Sequence, residues 1–155
     1  MASNPASKTS KRNVVKSGAA QKVGSASVWA NRNPVEISIL VPVMNEAGNI
    51  RPLIDEICSA FAGRQFEIIY IDDASNDATA DELSAALDTV PQLRVLRHTQ
   101  RAGQSAAIRS GLFQANGNLI GVLDGDGQNV PADFPALESS VIAASKDGKM
   151  VMAAG

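Results

Sequence analysis

Four apolar, strand-forming runs recur along this chain. Each opens into a polar loop and is followed by a segment with helical spacing. The runs are "VEISILVPV" (35–43), "FEIIYI" (66–71), "LRVLRH" (93–98) and "LIGVLD" (119–124). Between the first two, Ile50, Leu53, Ile54, Ile57 and Phe61 recur every three or four residues, and Gly63 stops the pattern. A second helix is read over Thr79–Leu87 with Asp77 as its N-cap, and Asn49 is read as a cap of the first. A third, "GQSAAIRSGLFQANG", closes at Asn116-Gly117. A fourth starts at Pro131, and "KMVMAA" (149–154) opens a fifth strand.

Strands alternating with helices of this length make βαβ units and a mostly parallel sheet. The runs are too apolar to face water on either side, so helices should cover both faces of a three-layer α/β/α, Rossmann-like domain. Right-handed crossovers gather the strand-to-helix loops at one edge of the sheet. That edge is where ligands bind in open α/β sheets. It would hold "PVMNEAGN", "DDASNDAT", "RHTQRAGQ" and "DGDGQNVP".

Charge separates the chain into two parts. Residues 1–33 carry six basic residues and no acid, whereas 34–155 carry the other eight basic and all sixteen acidic residues, for −8. The first part, rich in Ser, Ala, Lys and Asn, reads as a disordered basic tail. Its charges are spread out with no amphipathic stripe, which favours a solvated extension over a lipid tether or transit peptide. The second part reads as the folded domain. An acidic body argues against a nucleic-acid groove and suits cations, or anions held through cations. The lone Cys58 has apolar neighbours and reads as a core residue; without a partner for an internal disulfide it fits a reducing compartment, and the chain is expected to be cytoplasmic. No run reaches the length of a membrane helix.

Glu46, Asp72, Asp73, Asp77, Asp124 and Asp126 all fall in the gathered loops. Two carboxylates about 4 Å apart repel by about 4 kcal/mol at an effective dielectric near 20, so hydrogen bonds or a cation must offset them. Hard oxygen donors suit Mg2+ or Mn2+, and in extended "DGDGQ" Asp124, Asp126 and Gln128 project alike. An EF-hand starting at Asp124 fails, since its sixth and twelfth places are Asn129 and Pro135. No dinucleotide glycine motif or P-loop is present. A phosphate-receiver domain wants its acidic pair after the first strand, whereas Asp72-Asp73 follows the second.

"ISILVPVMNEAGNI", "EIIYIDDASNDAT", "RHTQRAGQSAAIRSG" and "GVLDGDGQNVPAD", in this order and spacing, resemble the family 2 glycosyltransferases of GT-A fold. The "VPVMNE" opening and the D-x-D-x-Q form resemble the dolichol-phosphate mannose synthase-like branch, whose members glycosylate polyprenyl phosphates in glycolipid and cell-envelope synthesis. The resemblance covers Ile37 to Asp133. It implies a nucleotide-diphosphate sugar donor and a polyprenyl-phosphate (dolichyl or undecaprenyl) or other glycan acceptor. It implies that Pro42, Met44 and Glu46 line the nucleotide pocket and that Asp73, with Asp72 beside it, reads the base edge; read from the residues alone, Asp72 can instead organise its own loop through backbone bonds. By the same resemblance Arg101 and Gln104 would approach the nucleotide. The resemblance further implies that Asp124 and Asp126 would form the catalytic clamp on the metal-bound diphosphate, with Gly125 between them and Gln128 joining Asp126 on the metal. An acceptor phosphate is already anionic, so no strong base is needed, and His98 is read as a structural histidine. A lipid acceptor would bring the chain peripherally to the cytoplasmic face of a membrane. The resemblance also implies that full members continue past the fifth strand, so the chain is expected to be the nucleotide-binding half, with an exposed sheet edge. The other classes weighed are a non-catalytic nucleotide-sugar-binding module and a sugar-phosphate nucleotidyltransferase. The latter wants a Gly-rich signature that "PVMNEAGN" lacks.

Overall fold

A computed structural model describes residues 35–144. The basic tail and the fifth strand expected from the sequence lie outside them. In chain order the elements are β1 (Ile37–Val43), α1 (Ile50–Ala60), β2 (Phe66–Asp72), α2 (Thr79–Leu87), β3 (Leu93–Arg97), α3 (Gln104–Gln114) and β4 (Leu119–Val122). A 3-10 turn (Pro131–Asp133) then leads into α4 (Phe134–Ala144). The strands form one parallel sheet in the order β3-β2-β1-β4, with Ile37 opposite both Phe66 and Leu119.

Alternate residues of the central strands feed two cores, as a pleated strand requires. Ile39, Val41, Ile68 and Tyr70 face one side, where α1 packs with Ile50, Leu53, Ile54 and Ile57, and α2 with Leu83. Burying each such side chain is worth about 2 kcal/mol. An 11-residue helix is marginal alone, so this packing is what holds α1. Phe134 lies edge-on to Phe61 and crowds over Gly121 of β4, where a Cβ would sit 2.2 Å from its ring. Cys58 packs against this core and burial raises its thiol, as expected of a core cysteine.

Leu40, Ile69 and Ile71 face the other side and meet α3. Ala107 and Gly111, one turn apart, let that helix approach closely: a Cβ on Gly111 would lie 2.9 Å from Ile71. Among the described residues no helix covers Ile120 and Val122 of β4 on this face, and they are 41% and 42% exposed. Only α3 packs on this side among the described residues, and β4 is an outer strand of the sheet.

Two expected caps are also corrected. Asn49 is the residue before α1, but its side chain donates to Glu46 instead of capping the helix. The cap position of α2 is Ala78, and Asp77 accepts from the Thr79 amide from one residue further out. The third helix ends at Gln114, ahead of Asn116-Gly117. Asn116 and Gly117 instead tie the chain to the start of the sheet. Glu67, 6% exposed, accepts from Ser38 Oγ (2.6 Å), the Asn116 amide (2.6 Å) and Arg94 (2.9 Å), while Ser38 Oγ accepts from the Gly117 amide.

Burial pushes the Glu67 carboxyl up, but the hydrogen bonds from Ser38, Asn116 and Arg94 outweigh it and hold the group below its ordinary value of 4.5. Its stabilisation is therefore complete above about pH 4.5 and is lost as the pH falls through the lower folded value. Glu67→Ala leaves the Ser38 hydroxyl and the Asn116 amide without their acceptor and Arg94 with only the Gln114 carbonyl, and should cost about 3 kcal/mol in urea unfolding at pH 7. The gap from wild type should shrink as the pH drops below 4, and an unchanged unfolding midpoint at pH 7 would show that the network contributes nothing.

Candidate functional site

All four strands end at the same edge, and their following loops enclose a cavity of about 430 Å³. Each loop contributes. Pro42, Val43, Met44 and Glu46 come from the end of β1, and Asp73 from the end of β2. Arg101, Gly103, Gln104 and Ala107 come from the β3–α3 connection, and Asp124, Gly125 and Asp126 from the end of β4. The cavity is acidic, with four carboxylates against one guanidinium.

The first loop takes its shape from the second. Four consecutive amides, Asn45 to Gly48, donate in turn to Ser75 Oγ, Thr79 Oγ1, Asp77 Oδ2 and the Glu82 carboxylate, at 2.9–3.1 Å. In return Asn45 Oδ1 accepts from the Asn76 amide. Asn45 (φ 60) and Ala74 (φ 63) sit in the left-handed region, at a cost of about 1–3 kcal/mol each that these bonds must hold down. Glu46, half-buried, is thereby set in the cavity wall. This zipper was not legible in the sequence beyond Asp77, since Thr79 and Glu82 look like ordinary helix residues.

Asp73 joins the second loop to the third. Its Oδ1 accepts from His98 Nδ1 (2.7 Å) and the Ala102 amide (2.8 Å), and its Oδ2 from the Gly103 amide (2.6 Å). Burial acts to raise this carboxyl, and these three donors outweigh it, so it titrates below the ordinary carboxylate range. It is ionised at neutral pH without any cation. Gly103 has φ 92, so the tight approach to Asp73 uses a conformation that glycine adopts freely.

Asp72 does not line the cavity, contrary to its expected place in the pocket. It is fully buried, its Oδ1 accepting from the Ser75 amide and its Oδ2 lying 3.1 Å from Arg97 Nε. The alternation of a strand explains this: adjacent side chains at the end of β2 point opposite ways, and only Asp73 turns to the cavity. Gln128 is exposed and outside the cavity lining. Its amide donates to Asp126 Oδ1, so the segment turns here instead of staying extended. Pro42, Met44, Glu46, Asp73, Arg101, Gln104, Asp124, Gly125 and Asp126 all line the cavity as expected. Val43, Gly103 and Ala107 line it as well and were not singled out; they are apolar or bare backbone, so nothing marks them in sequence.

Among the described residues no three His, Cys, Asp or Glu side chains form a metal-holding group. The donors nevertheless fit a hard cation shared with a ligand. Asp124 Oδ1 accepts from Gln104 Nε2 (2.7 Å) and Asp126 Oδ1 from the Gln128 amide, which leaves the second oxygen of each exposed carboxylate available. Mg2+ is commonly bound by one or two carboxylates completed by substrate phosphates and water.

The profile described as Glycosyl transferase family 2 matches residues 38–148, the segment that builds the cavity. The chain belongs to that family. A dodecaprenyl-phosphate galacturonate synthase of Rhizobium johnstonii is 35% identical over 113 residues, covering 69% of this chain and 32% of that protein. A dolichol-phosphate mannosyltransferase of Mycosarcoma maydis is 31% identical over 123 residues, covering 76% and 42%. This family 2 chain thus spans a third to two fifths of the length of these curated relatives. Among solved structures, the mannosyltransferase PcManGT from Pyrobaculum calidifontis, in complex with GDP-Man and Mn2+, superposes with a TM-score of 0.60 at 24% identity, over 72% of this chain and 32% of that one. TarS 1-349 from S. aureus gives 0.59 at 19%, over 76% and 38%. These likenesses show the fold, and the GT-A architecture implied by the motifs is the one found.

The loop carrying Asp124 and Asp126 lies flat on β1. A Cβ on Gly125 would stand 2.3 Å from Val43 Cγ1 and 3.3 Å from the Pro42 carbonyl. Gly125→Ala should therefore lift this loop and cost about 1–3 kcal/mol in urea unfolding. A wild-type unfolding midpoint would mean that the loop relieves the contact by moving freely.

Proposed function

We propose that this domain binds the nucleotide-diphosphate sugar of a glycosyltransferase that glycosylates a polyprenyl phosphate. The observation that carries the reading is the cavity itself, which brings Asp73, Arg101, Asp124 and Asp126 from three different loops to one space. Asp73, an acceptor held ionised by the protein, is suited to the N–H edge of a base. Pro42 and Met44 offer apolar surface beside it. Arg101, exposed and paired with no carboxylate among the described residues, is free to meet a phosphate.

Asp124 and Asp126 would hold the divalent cation, with Gln128 reaching it by a change of its exposed side chain. When bound, such a cation neutralises the diphosphate and stabilises charge on the departing nucleotide. The chain's own residues do the rest. Arg101 would pair with the diphosphate, the acidic clamp would hold the cation that offsets its charge, and the Gln104 contact fixes Asp124. A phosphate acceptor is already anionic, so the reaction needs no strong general base, and none is present in the cavity lining beyond the carboxylates themselves. The curated relatives named for polyprenyl-phosphate substrates support the acceptor class, and the GDP-Man and Mn2+ complex supports the donor and the metal.

Calorimetric titration of GDP-mannose, UDP-glucose and UDP-galacturonate, with and without Mn2+, tests the reading. At least one should bind, and more tightly with metal. Asp126→Ala should remove the metal-dependent part and leave the melting temperature within a degree or two, because the side chain is exposed and makes one loop bond. Metal-independent binding by wild type, or wild-type behaviour of the variant, would overturn the assignment of Asp126.

A further inference from the structure

His98 is fixed at both ring nitrogens. Its Nδ1 lies 2.7 Å from Asp73 Oδ1 and its Nε2 lies 2.9 Å from Ser110 Oγ on α3. The side chain is 19% exposed. Asp73 is an ionised carboxylate and can only accept, so Nδ1 carries the hydrogen, and Nε2 lies in hydrogen-bond contact with the Ser110 hydroxyl. The chain Ser110–His98–Asp73 has the connectivity of a nucleophilic triad. It does not serve that chemistry here. Ser110 lies in the seventh position of an 11-residue helix, whose amides are spent on the helix ladder, so no oxyanion donors surround its hydroxyl.

The chain is instead directed at Asp73. A carboxylate offers about four acceptor positions. Three are taken, by His98, Ala102 and Gly103, and the remaining one on Oδ2 is left for a ligand in the cavity. The Ala102 and Gly103 amides belong to the loop that His98 begins, so the imidazole anchors the loop and the carboxylate together. The His98 amide also donates to the Asp72 carbonyl, which holds the start of the loop against the end of β2.

We propose that His98, braced by Ser110, is a positioning residue for base recognition: it holds Asp73 so that its open acceptor position selects nucleotides whose base presents a ring N–H, uracil or guanine, over adenine and cytosine. The ring nitrogen at the corresponding edge of adenine or cytosine is an acceptor and faces the carboxylate unfavourably. This rests on the reading of Asp73 as the base contact. His98→Ala removes a charge-assisted bond and frees the carboxylate to rotate. His98→Asn keeps a donor near the Nδ1 position and loses the Ser110 contact.

The test is titration of UDP, GDP, CDP and ADP in the presence of Mn2+, with each variant's melting temperature measured alongside. Wild type should prefer UDP or GDP. His98→Ala should weaken that nucleotide about tenfold or more and narrow the gap to CDP and ADP, and His98→Asn should recover most of both. Ser110→Ala should fall between wild type and His98→Ala. If wild type binds none of the four, the nucleotide reading fails and this proposal with it. If wild type discriminates and folded His98→Ala discriminates equally, the nucleotide reading stands and the role of His98 is overturned. Equal loss in folded His98→Ala and His98→Asn would also overturn it, since the Nδ1 bond would then not be what matters.

Discussion

The carboxylate of Asp73 is the point on which the site depends. It is nearly buried, ionised, and held by three donors that come from residues 98 to 103. An unpaired buried charge costs several kcal/mol, so those donors are fixed as firmly as the charge is. The β3–α3 loop is therefore folded around the end of β2, and this sets the N-terminus of α3, where Gln104 reaches Asp124. One satisfied charge thus links three of the four loops. The Asp73 amide, donating to the Val43 carbonyl, extends the link to β1.

A second buried acid does the corresponding work at the other end of β2. Glu67 gathers Ser38 of β1, Arg94 of β3 and Asn116 of the turn into β4. The two carboxylates bracket one central strand, and between them Ile68 to Ile71 supply apolar side chains to both cores. The arrangement separates the tasks of the two edges. The Glu67 end is saturated with partners and has no acceptor left to offer. The Asp73 end is satisfied except toward the cavity, and its neighbours Asp124 and Asp126 keep one carboxylate oxygen each available.

Much of this was legible in the chain. The strand and helix order followed from periodicity, because burial on a parallel sheet leaves uninterrupted apolar runs and helices leave a three-to-four spacing. The gathering of the loops followed from crossover handedness, which needs no side-chain detail. Nine residues expected at the site line the cavity for that reason. Asp72 organises its own loop through the Ser75 amide, the alternative to a place in the pocket, and a doublet of identical residues does not show which member turns inward. That depends on the register in which β2 ends against β1, with Val43 opposite Asp72. Gln128 was expected to project with Asp124 and Asp126, but the turn closed by its amide on Asp126 breaks the alternation. The exposure of Ile120 and Val122 was likewise invisible, since an apolar run shows preference for burial and not what is there to bury it.

By itself, then, the sequence determined the architecture, the edge at which chemistry gathers and the acidic, oxygen-rich character of that edge. These follow from pattern and charge, which are local properties summed along the chain. Tertiary structure decided which carboxylates face the cavity and which are consumed within the fold. It also decided that Thr79, Asp77 and Glu82 serve the first loop's amides, and that His98 stands between Ser110 and Asp73. The reason is physical: a hydrogen bond depends on tenths of an ångström and on direction between residues 12 to 34 positions apart, and no spacing rule along the chain carries that information.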